Sequence, residues 1–318
     1  MQSDKEELGR IILGMRAAYS RGDNAMAWAR ATSSLADNML VCTLVAYDLQ
    51  AGTYVEGARE NPDYINKWCT QLAELLQPYV ESGDQILEVG VGEATTLTGV
   101  IKAIRRTNIS AFGLDVSWSR IKIAREWAEE NSVDSNFFVG DIFHIPLADN
   151  SIDVVYTSHS LEPNGGREAA AIAELLRVAR KAVVLVEPLY ELAPANAQKR
   201  MLEHGYVRGL KATAEEMGAH VVDHRLLDVC SNPLNPSGVV LMAKSNVPPR
   251  RDPGSKGASW QCPMTGASLF DQGDVFYAEE VGIVYPVLRG IPLLRPEHAI
   301  IASKLSLNTK HQSNLCAG

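Results

Sequence analysis

The stretch QILEVGVGEA, residues 85 to 94, constrains the fold of this chain more than any other. Positions 85–88 read as a short buried strand. Gly90-Val91-Gly92 follows, then a helical run from Glu93 to about Ile104. A strand that turns through glycines into a helix sets backbone N–H groups beside bare backbone, where a nucleotide-like ligand can approach closely. A dinucleotide site would put its third glycine at position 95, which is Thr95. Glu88 stands two residues before the first glycine, where a carboxylate repels a pyrophosphate. It suits a ligand that is locally cationic or rich in hydroxyl and amino donors.

After this turn the chain alternates strand and helix patterns. Strands are predicted over 109–115, 136–140, 152–158 and 181–187, and helices over 117–131, with Ser117 as N-cap, and 166–179. Residues 193–217 read as helix broken by Gly205 and Gly209, and 220–229 and 237–244 as a last strand pair across a turn-rich link. The fold class is α/β: a doubly wound, mostly parallel sheet with helices on both faces and an antiparallel terminal pair. Ligands of such sheets lie beyond the C-terminal strand ends, near the reversal of strand order.

Those ends carry a consistent set. Asp115, 23 positions after Gly92, can accept both hydrogen bonds of a ribose diol. In Gly140-Asp141-Ile142, Asp141 can accept from an exocyclic adenine amine and Ile142 can pack on the ring. The fourth strand runs out in Ser158-His159-Ser160-Leu161-Glu162-Pro163-Asn164, the fifth in Glu187-Pro188-Leu189-Tyr190. Singly each is weak, since a strand-end Asp is often a helix cap. In order along successive strands they point to one site.

With these residues in view, the region from 84 to 244 resembles a class I S-adenosylmethionine-dependent methyltransferase. LEVGVGEA is similar to that family's first motif, with Ala94 where a last glycine often stands. IDVVYTSHSLEP looks like its fourth motif, and YDLQAGTY resembles the lead-in that covers the cofactor's methionine end. The resemblance implies seven strands, the last antiparallel. It implies S-adenosyl-L-methionine as cofactor, with S-adenosyl-L-homocysteine as product. The cofactor-binding positions it implies are Tyr54, Glu88, Gly90, Gly92, Asp115, Val116, Asp141, Ile142 and Ser158. Glu88 then lies near the cofactor's ammonium, and the N–H groups of the glycine turn face the same end. The fold serves many acceptors, so the substrate stays open.

Methyl transfer from a sulfonium is an in-line displacement. The protein mainly aligns acceptor, methyl and sulfur, and a base is needed only for a poor nucleophile such as an alcohol. His159 is the candidate base, with a structural histidine as the alternative. Glu162 could orient it or bind an amine. Asn164, Glu187 and Tyr190 are candidate substrate contacts, with Glu191 beside them. His204 and Tyr206 reach the site only if their helix folds over it.

Ahead of the glycine turn, helices are predicted from Leu8 through Met15, from about Ala25, over 34–49 and over 62–79. They read as a packed cap, with residues 47–54 as a break able to form a lid. The tail differs. Residues 245–259 read as a linker with a solvated Arg250-Arg251 pair. WQCPMTGASLF and Tyr285-Pro286-Val287-Leu288-Arg289-Gly290-Ile291-Pro292 then resemble the small zinc-ribbon-like unit of the tRNA-methyltransferase activator family. Thr265 stands at its second cysteine, so four zinc ligands cannot be assembled and a metal-free unit is expected. It could dock on its own catalytic domain, dimerise or cover the substrate entrance. The division is 1–80 helical cap, 81–246 cofactor-binding domain, 247–259 linker, 260–306 small β domain and 307–318 tail.

The bulk numbers narrow the class. A net charge of -8 over 318 residues disfavours broad phosphate-backbone contact, so nucleic acid is not an expected partner. No apolar run is long enough to span a bilayer. The N-terminal MQSDKEELGR is unlike a secretory leader, and the 5 cysteines form no C-x-x-C pair, so the cytoplasm is the expected location. The expectation is an enzyme methylating O or N of a small polar metabolite, with a homodimer open. The rivals are methylation of protein or tRNA, and a cofactor-binding scaffold without catalysis.

Overall fold

The computed structural model describes residues 2–32, 39–249 and 258–305. The start of the third helix at 34, Arg250-Arg251 with most of the linker, and the tail from 307 lie outside the described residues. Helices α1 (Gln2–Ser20), α2 (Ala25–Thr32) and α3 (Met39–Leu49) pack through Ile11, Met15, Ala29, Cys42 and Ala46. Gly14 lies against the Trp28 ring, where a Cβ would come within 1.9 Å of it.

The 47–54 break is shorter than its polar sequence suggests. Tyr47, Asp48 and Leu49 finish α3, Gln50 to Gly52 turn, and α4 (Thr53–Glu60) starts at once. Gly52 takes φ of 108°, which a side chain would resist. α5 (Pro62–Leu76) opens on the proline its first turn tolerates and runs into a 3-10 turn, Gln77–Tyr79.

The seven-stranded sheet has the order β3-β2-β1-β4-β5-β7-β6. Its strands are β1 (Gln85–Val89), β2 (Ser110–Asp115), β3 (Ser135–Val139), β4 (Ile152–Ser158), β5 (Ala179–Pro188), β6 (Val221–Leu226) and β7 (Ser237–Ala243). β1 to β5 pair in parallel, and β7 runs antiparallel to both β5 and β6. The order reverses between β1 and β4, so the glycine turn stands at the switch point.

Alternation along the strands feeds two cores. Leu87, Val89, Phe112 and Leu114 pack with α8 (Glu168–Val178). Ile86, Tyr156 and Val184 pack with α5, α6 (Thr95–Ala103) and α7 (Trp118–Glu130). The long helix predicted over 193–217 is two short ones, α9 (Ala195–Glu203) and α10 (Leu210–Glu216). Gly205 and Gly209 both take φ of 65°, and the loop between them turns back toward the strand ends.

The small unit is an antiparallel sheet of β8 (Phe270–Asp271), β9 (Val275–Ala278), β10 (Ile283–Leu288), β11 (Ile291–Pro292) and β12 (Ile300–Ile301). Arg289-Gly290, with φ of 53° and 75°, makes the tight turn between β10 and β11 that their sequence calls for. The unit docks on the open edge of the main sheet: Leu294 N–H donates to Val139 O at 2.8 Å, and Gln261 N–H to Pro146 O at 3.0 Å. Trp260 stands edge-on to Phe138 at 5.0 Å and to Phe276 at 5.2 Å, joining the two units in one core. Cys262 is buried there, its Sγ 3.4 Å from the Tyr285 hydroxyl. Among the described residues no group of three or more His, Cys, Asp or Glu is placed to hold a metal. No described helix is long and apolar enough to cross a membrane.

Candidate active site

The site forms where β1, β2, β4 and β5 end. At Gly90 a Cβ would come within 2.1 Å of Ser160 Cβ, so only glycine lets the loop after β4 rest on the turn. Ser160 fixes that contact by donating its hydroxyl to Val89 O at 2.7 Å. Gly92 and Ala94 both take positive φ, 54° and 57°, so Ala94 adopts the left-handed conformation a glycine would hold more cheaply. The N–H groups of the turn, expected to face a ligand, are engaged within the fold. Gly90 and Val91 both donate to Leu114 O, and Gly92 donates to Asp115 Oδ2 at 3.1 Å. The turn is stitched to β2.

Glu88 differs from expectation for a related reason. It is opposite Tyr156 in the β1–β4 register, and the Tyr156 hydroxyl donates to its Oε2 at 2.8 Å. It is 2% exposed and lies beneath the turn rather than in the cleft. Burial pushes its pKa up to about 8, against the opposing hydrogen bonds from Tyr156 and the Leu97 backbone. Period 2 along β1 puts Glu88 on the face of Ile86, toward α6.

Asp115 ends β2 in the expected place. Its Oδ1 accepts from Ser117 N–H at 2.9 Å and its Oδ2 from Gly92, and each oxygen keeps a lone pair for a ligand. Val116 is half-buried beside it, and Ser117 caps α7 as predicted. Above this end the α3–α4 turn forms a roof. Tyr47 and Tyr54 present their rings to the Arg120 guanidinium, at 4.3 and 4.8 Å. Glu93 pins the roof, taking Gly52 N–H at 2.8 Å and Val55 N–H at 2.9 Å. Ser119 ties α7 to Asp48. Neither Glu93 nor Arg120 was singled out in the sequence. Both partners of Glu93 lie about 40 positions upstream, and no local pattern announces such a pairing.

After β4, His159 takes φ of 57°, an uncommon backbone for a residue with a side chain. Its Nδ1 is 3.1 Å from Glu162 Oε2 and its Nε2 is 2.7 Å from Ser237 Oγ, while its ring leans on Trp68 at 5.8 Å. Burial disfavours the charged ring, but the Glu162 hydrogen bond and the charges of Glu187 and Glu162 prevail, so its pKa is raised. Glu162 Oε2 also accepts from Asn235 Nδ2 at 3.1 Å, and the Tyr206 hydroxyl faces Glu162 and Arg200. Tyr206 reaches the site from the loop between α9 and α10, held by Val207 N–H on Glu162 O at 3.0 Å.

Residues 86–182 match a family described as a methyltransferase domain. The chain is 29% identical over 122 residues, 36% of its length, to the Probable methyltransferase ltbC of Aspergillus luteorubrus. The match spans 42% of that fungal protein. Two solved structures are similar. One chain comes from the complex between the Haloferax volcanii Trm112 methyltransferase activator and its proposed methyltransferase. It has 16% identity and a TM-score of 0.48, over 62% of this chain and 96% of that one. The other is the magnesium protoporphyrin IX methyltransferase of Synechocystis with bound S-adenosylhomocysteine. It has 14% identity and a TM-score of 0.49, over 64% of this chain and 100% of that one.

The fold brings together Gly90, Gly92, Asp115, Val116 and the His159–Glu162 pair, with Tyr54 reaching them from α4. Ser158 is half-buried at the end of β4. The donor set fits an adenosyl ligand on two counts. Asp115 keeps acceptor capacity for a diol, and a Cβ on Gly92 would meet nothing closer than 3.9 Å, which leaves close approach open. Asp141 is turned back on its own loop, accepting from Phe143 N–H at 3.0 Å and pairing with His144 at 3.1 Å, and Ile142 is buried in the core. Glu187 is not a substrate contact in this arrangement. It is 0% exposed and accepts from the N–H groups of Ser160, Leu161 and Glu162, each at 3.1 Å. It holds the loop that carries His159, with its pKa pushed up to about 7 by burial. Tyr190 sits half-buried with Met201 and Tyr206, and Asn164 bonds back to Ser160 O and Leu161 O.

Proposed function

We propose that the protein is an S-adenosylmethionine-dependent methyltransferase acting on O or N of a small polar metabolite. The observation that carries this reading is the His159–Glu162–Tyr206 cluster beside the glycine turn, with the α3–α4 turn tied to that turn through Glu93. A helical cap tied down beside the strand ends supports a small acceptor rather than a macromolecule. When bound, the cofactor supplies an activated methyl group on sulfonium sulfur. Asp115 would accept the ribose hydroxyls, beside the Tyr47 and Tyr54 rings of the α3–α4 turn. Glu162, saturated by donors, holds His159 with Nδ1 protonated. Nε2 then takes the proton the acceptor loses, once Ser237 yields its place. Asn164 and Tyr190 line the acceptor side.

The same proposal divides the chain into cap, cofactor domain and small β domain. The zinc-ribbon ancestry of the last, and a homodimer, belong to the same proposal.

Calorimetry with S-adenosylhomocysteine and a metabolite screen for a one-methyl mass gain test the reading. Binding without turnover on any small molecule favours a scaffold. Turnover on protein or tRNA alone overturns the acceptor class.

A further inference from the structure

Helix α9 is strapped at both ends beside the strand ends that form the site. Gln198 Nε2 donates to Tyr190 O at 3.0 Å, just past the end of β5. Beyond the helix, Val207 N–H donates to Glu162 O at 3.0 Å, in the loop after β4. Gly165 fits under that second strap, where a Cβ would come within 2.3 Å of Gly205 O. The inner face of α9 carries Ala197 and Met201, buried with Tyr190 and Tyr206. Helical period sets Arg200 on the edge of that face. Its guanidinium stands over the Tyr206 ring at 5.6 Å, and Nη1 is buried with no hydrogen-bond partner among the described residues. A buried cationic donor left unpaired is costly, and a ligand that brings an acceptor removes the cost.

A second polar atom of the same cluster is unpaired. Asn235 donates its Nδ2 to Glu162 Oε2 at 3.1 Å, the oxygen that also meets His159 Nδ1 at 3.1 Å. A carboxylate only accepts, so the amide orientation is fixed and Oδ1 is the free end. That Oδ1 is likewise buried without a partner among the described residues. Sharing Oε2 puts Asn235 next to the candidate base. Glu162 itself is spent on these two side chains.

The complement of the two unused groups is an anionic oxygen for Arg200 and an N–H or O–H for Asn235. The single charge of a guanidinium matches a carboxylate. A phosphate dianion would bring a second charge to a loop that already holds Glu162 and Glu187, joined by the Glu162 N–H on Glu187 Oε2 at 3.1 Å.

We propose that the methyl acceptor is a hydroxy or amino acid, its carboxylate bound by Arg200 and the O–H or N–H of its reacting group by Asn235, beside His159. The inference rests on the methyltransferase reading above and deepens it to a substrate class.

The test is calorimetric titration of the full chain, with and without S-adenosylhomocysteine, by a panel of hydroxy and amino acids. Each acid is run beside its primary amide, which loses the charge and keeps the donor, beside its phosphonate analogue, and beside the parent acid without the donor. At least one hydroxy or amino acid should bind, its amide about 10- to 100-fold more weakly. R200M should weaken that acid by the same factor, leave the amide and S-adenosylhomocysteine unchanged, and be partly reversed in R200K. N235L should weaken the hydroxy or amino acid but not the parent acid. The acid that binds should gain one methyl from S-adenosylmethionine. Amides bound as tightly as acids, phosphonates bound in preference, wild-type affinity for the acid in R200M, or no acid bound at all overturns the proposal. If R200M does not fold, R200K and R200Q take its place, and equal affinities for the acid overturn it. Arg200-dependent binding of an acid by a protein that binds no S-adenosylhomocysteine would leave the carboxylate site standing and defeat the methyltransferase reading instead.

Discussion

Glu93 accepts the backbone N–H of Val55 at 2.9 Å, joining the glycine turn to the first turn of α4. With Gly52 on its other oxygen, one buried carboxylate satisfies two donors at the start of a helix, where such donors otherwise go unpaired. The roof over the site is thus a tertiary cap. E93A should cost about 1–3 kcal/mol of stability. It should also speed hydrogen exchange at Gly52 and Val55 while the sheet amides stay protected. Uniform loss of protection would show that Glu93 is not local to the roof.

His159 carries the next prediction. H159A should lower kcat by about 10²–10⁴ if it accepts the acceptor's proton, with little change in the Kd for S-adenosylhomocysteine. A base works deprotonated, so kcat should fall as pH drops through a value above the ordinary 6.5, because Glu162 and Glu187 raise the His159 pKa. E162Q removes one of those charges, so the acid limb should move to lower pH. A limb that stays put in E162Q would assign it to another group.

Glu88 makes stability depend on pH. Its folded value, about 8, lies above the ordinary 4.5, so the folded state binds the proton more tightly. The stability this confers is complete below about pH 4.5 and is lost as pH rises to about 8. E88Q cannot ionise and escapes that loss. Relative to wild type it should gain with rising pH across the window, by as much as about 4 kcal/mol. Denaturant melts at pH 5 and pH 8.5 read the difference, and a gap that does not change with pH would mean Glu88 ionises freely in the folded protein.

Trp260 tests the docking of the small β unit. Its ring contacts Phe138 of the main sheet and Phe276 of the unit. W260A should cost about 3 kcal/mol. It should also unprotect the Leu294 amide, which donates to Val139 at the edge of the main sheet. An unprotected sheet edge invites pairing with other chains, so light scattering of W260A should rise on warming before the main melt. Retained protection at Leu294 would place the docking energy elsewhere.

Much of the frame was legible in the chain. The glycine turn, the Ser117 cap and the β-α alternation rest on local rules: glycine for positive φ, hydroxyl capping, and side-chain period. Those rules hold whatever lies across the fold, and they brought Asp115 and His159 to the same end of the sheet. In the α9–α10 region the sequence reads as one helix broken at Gly205 and Gly209. They end it, and so deliver Tyr206 to the site.

What only tertiary structure decided is where each polar group spends its hydrogen bonds. Glu88 and Glu187 look like ligand-facing acids in the chain, but cross-strand register turns one to Tyr156 and the loop after β4 wraps the other in three N–H groups. The roof held by Glu93 joins segments 38 or more positions apart, and Arg120 lies on a helix face that periodicity alone reads as core. A sequence specifies which donors and acceptors exist, and local pattern fixes the elements that carry them. Burial then compels each group to find a partner, and only the packed fold determines which one is near.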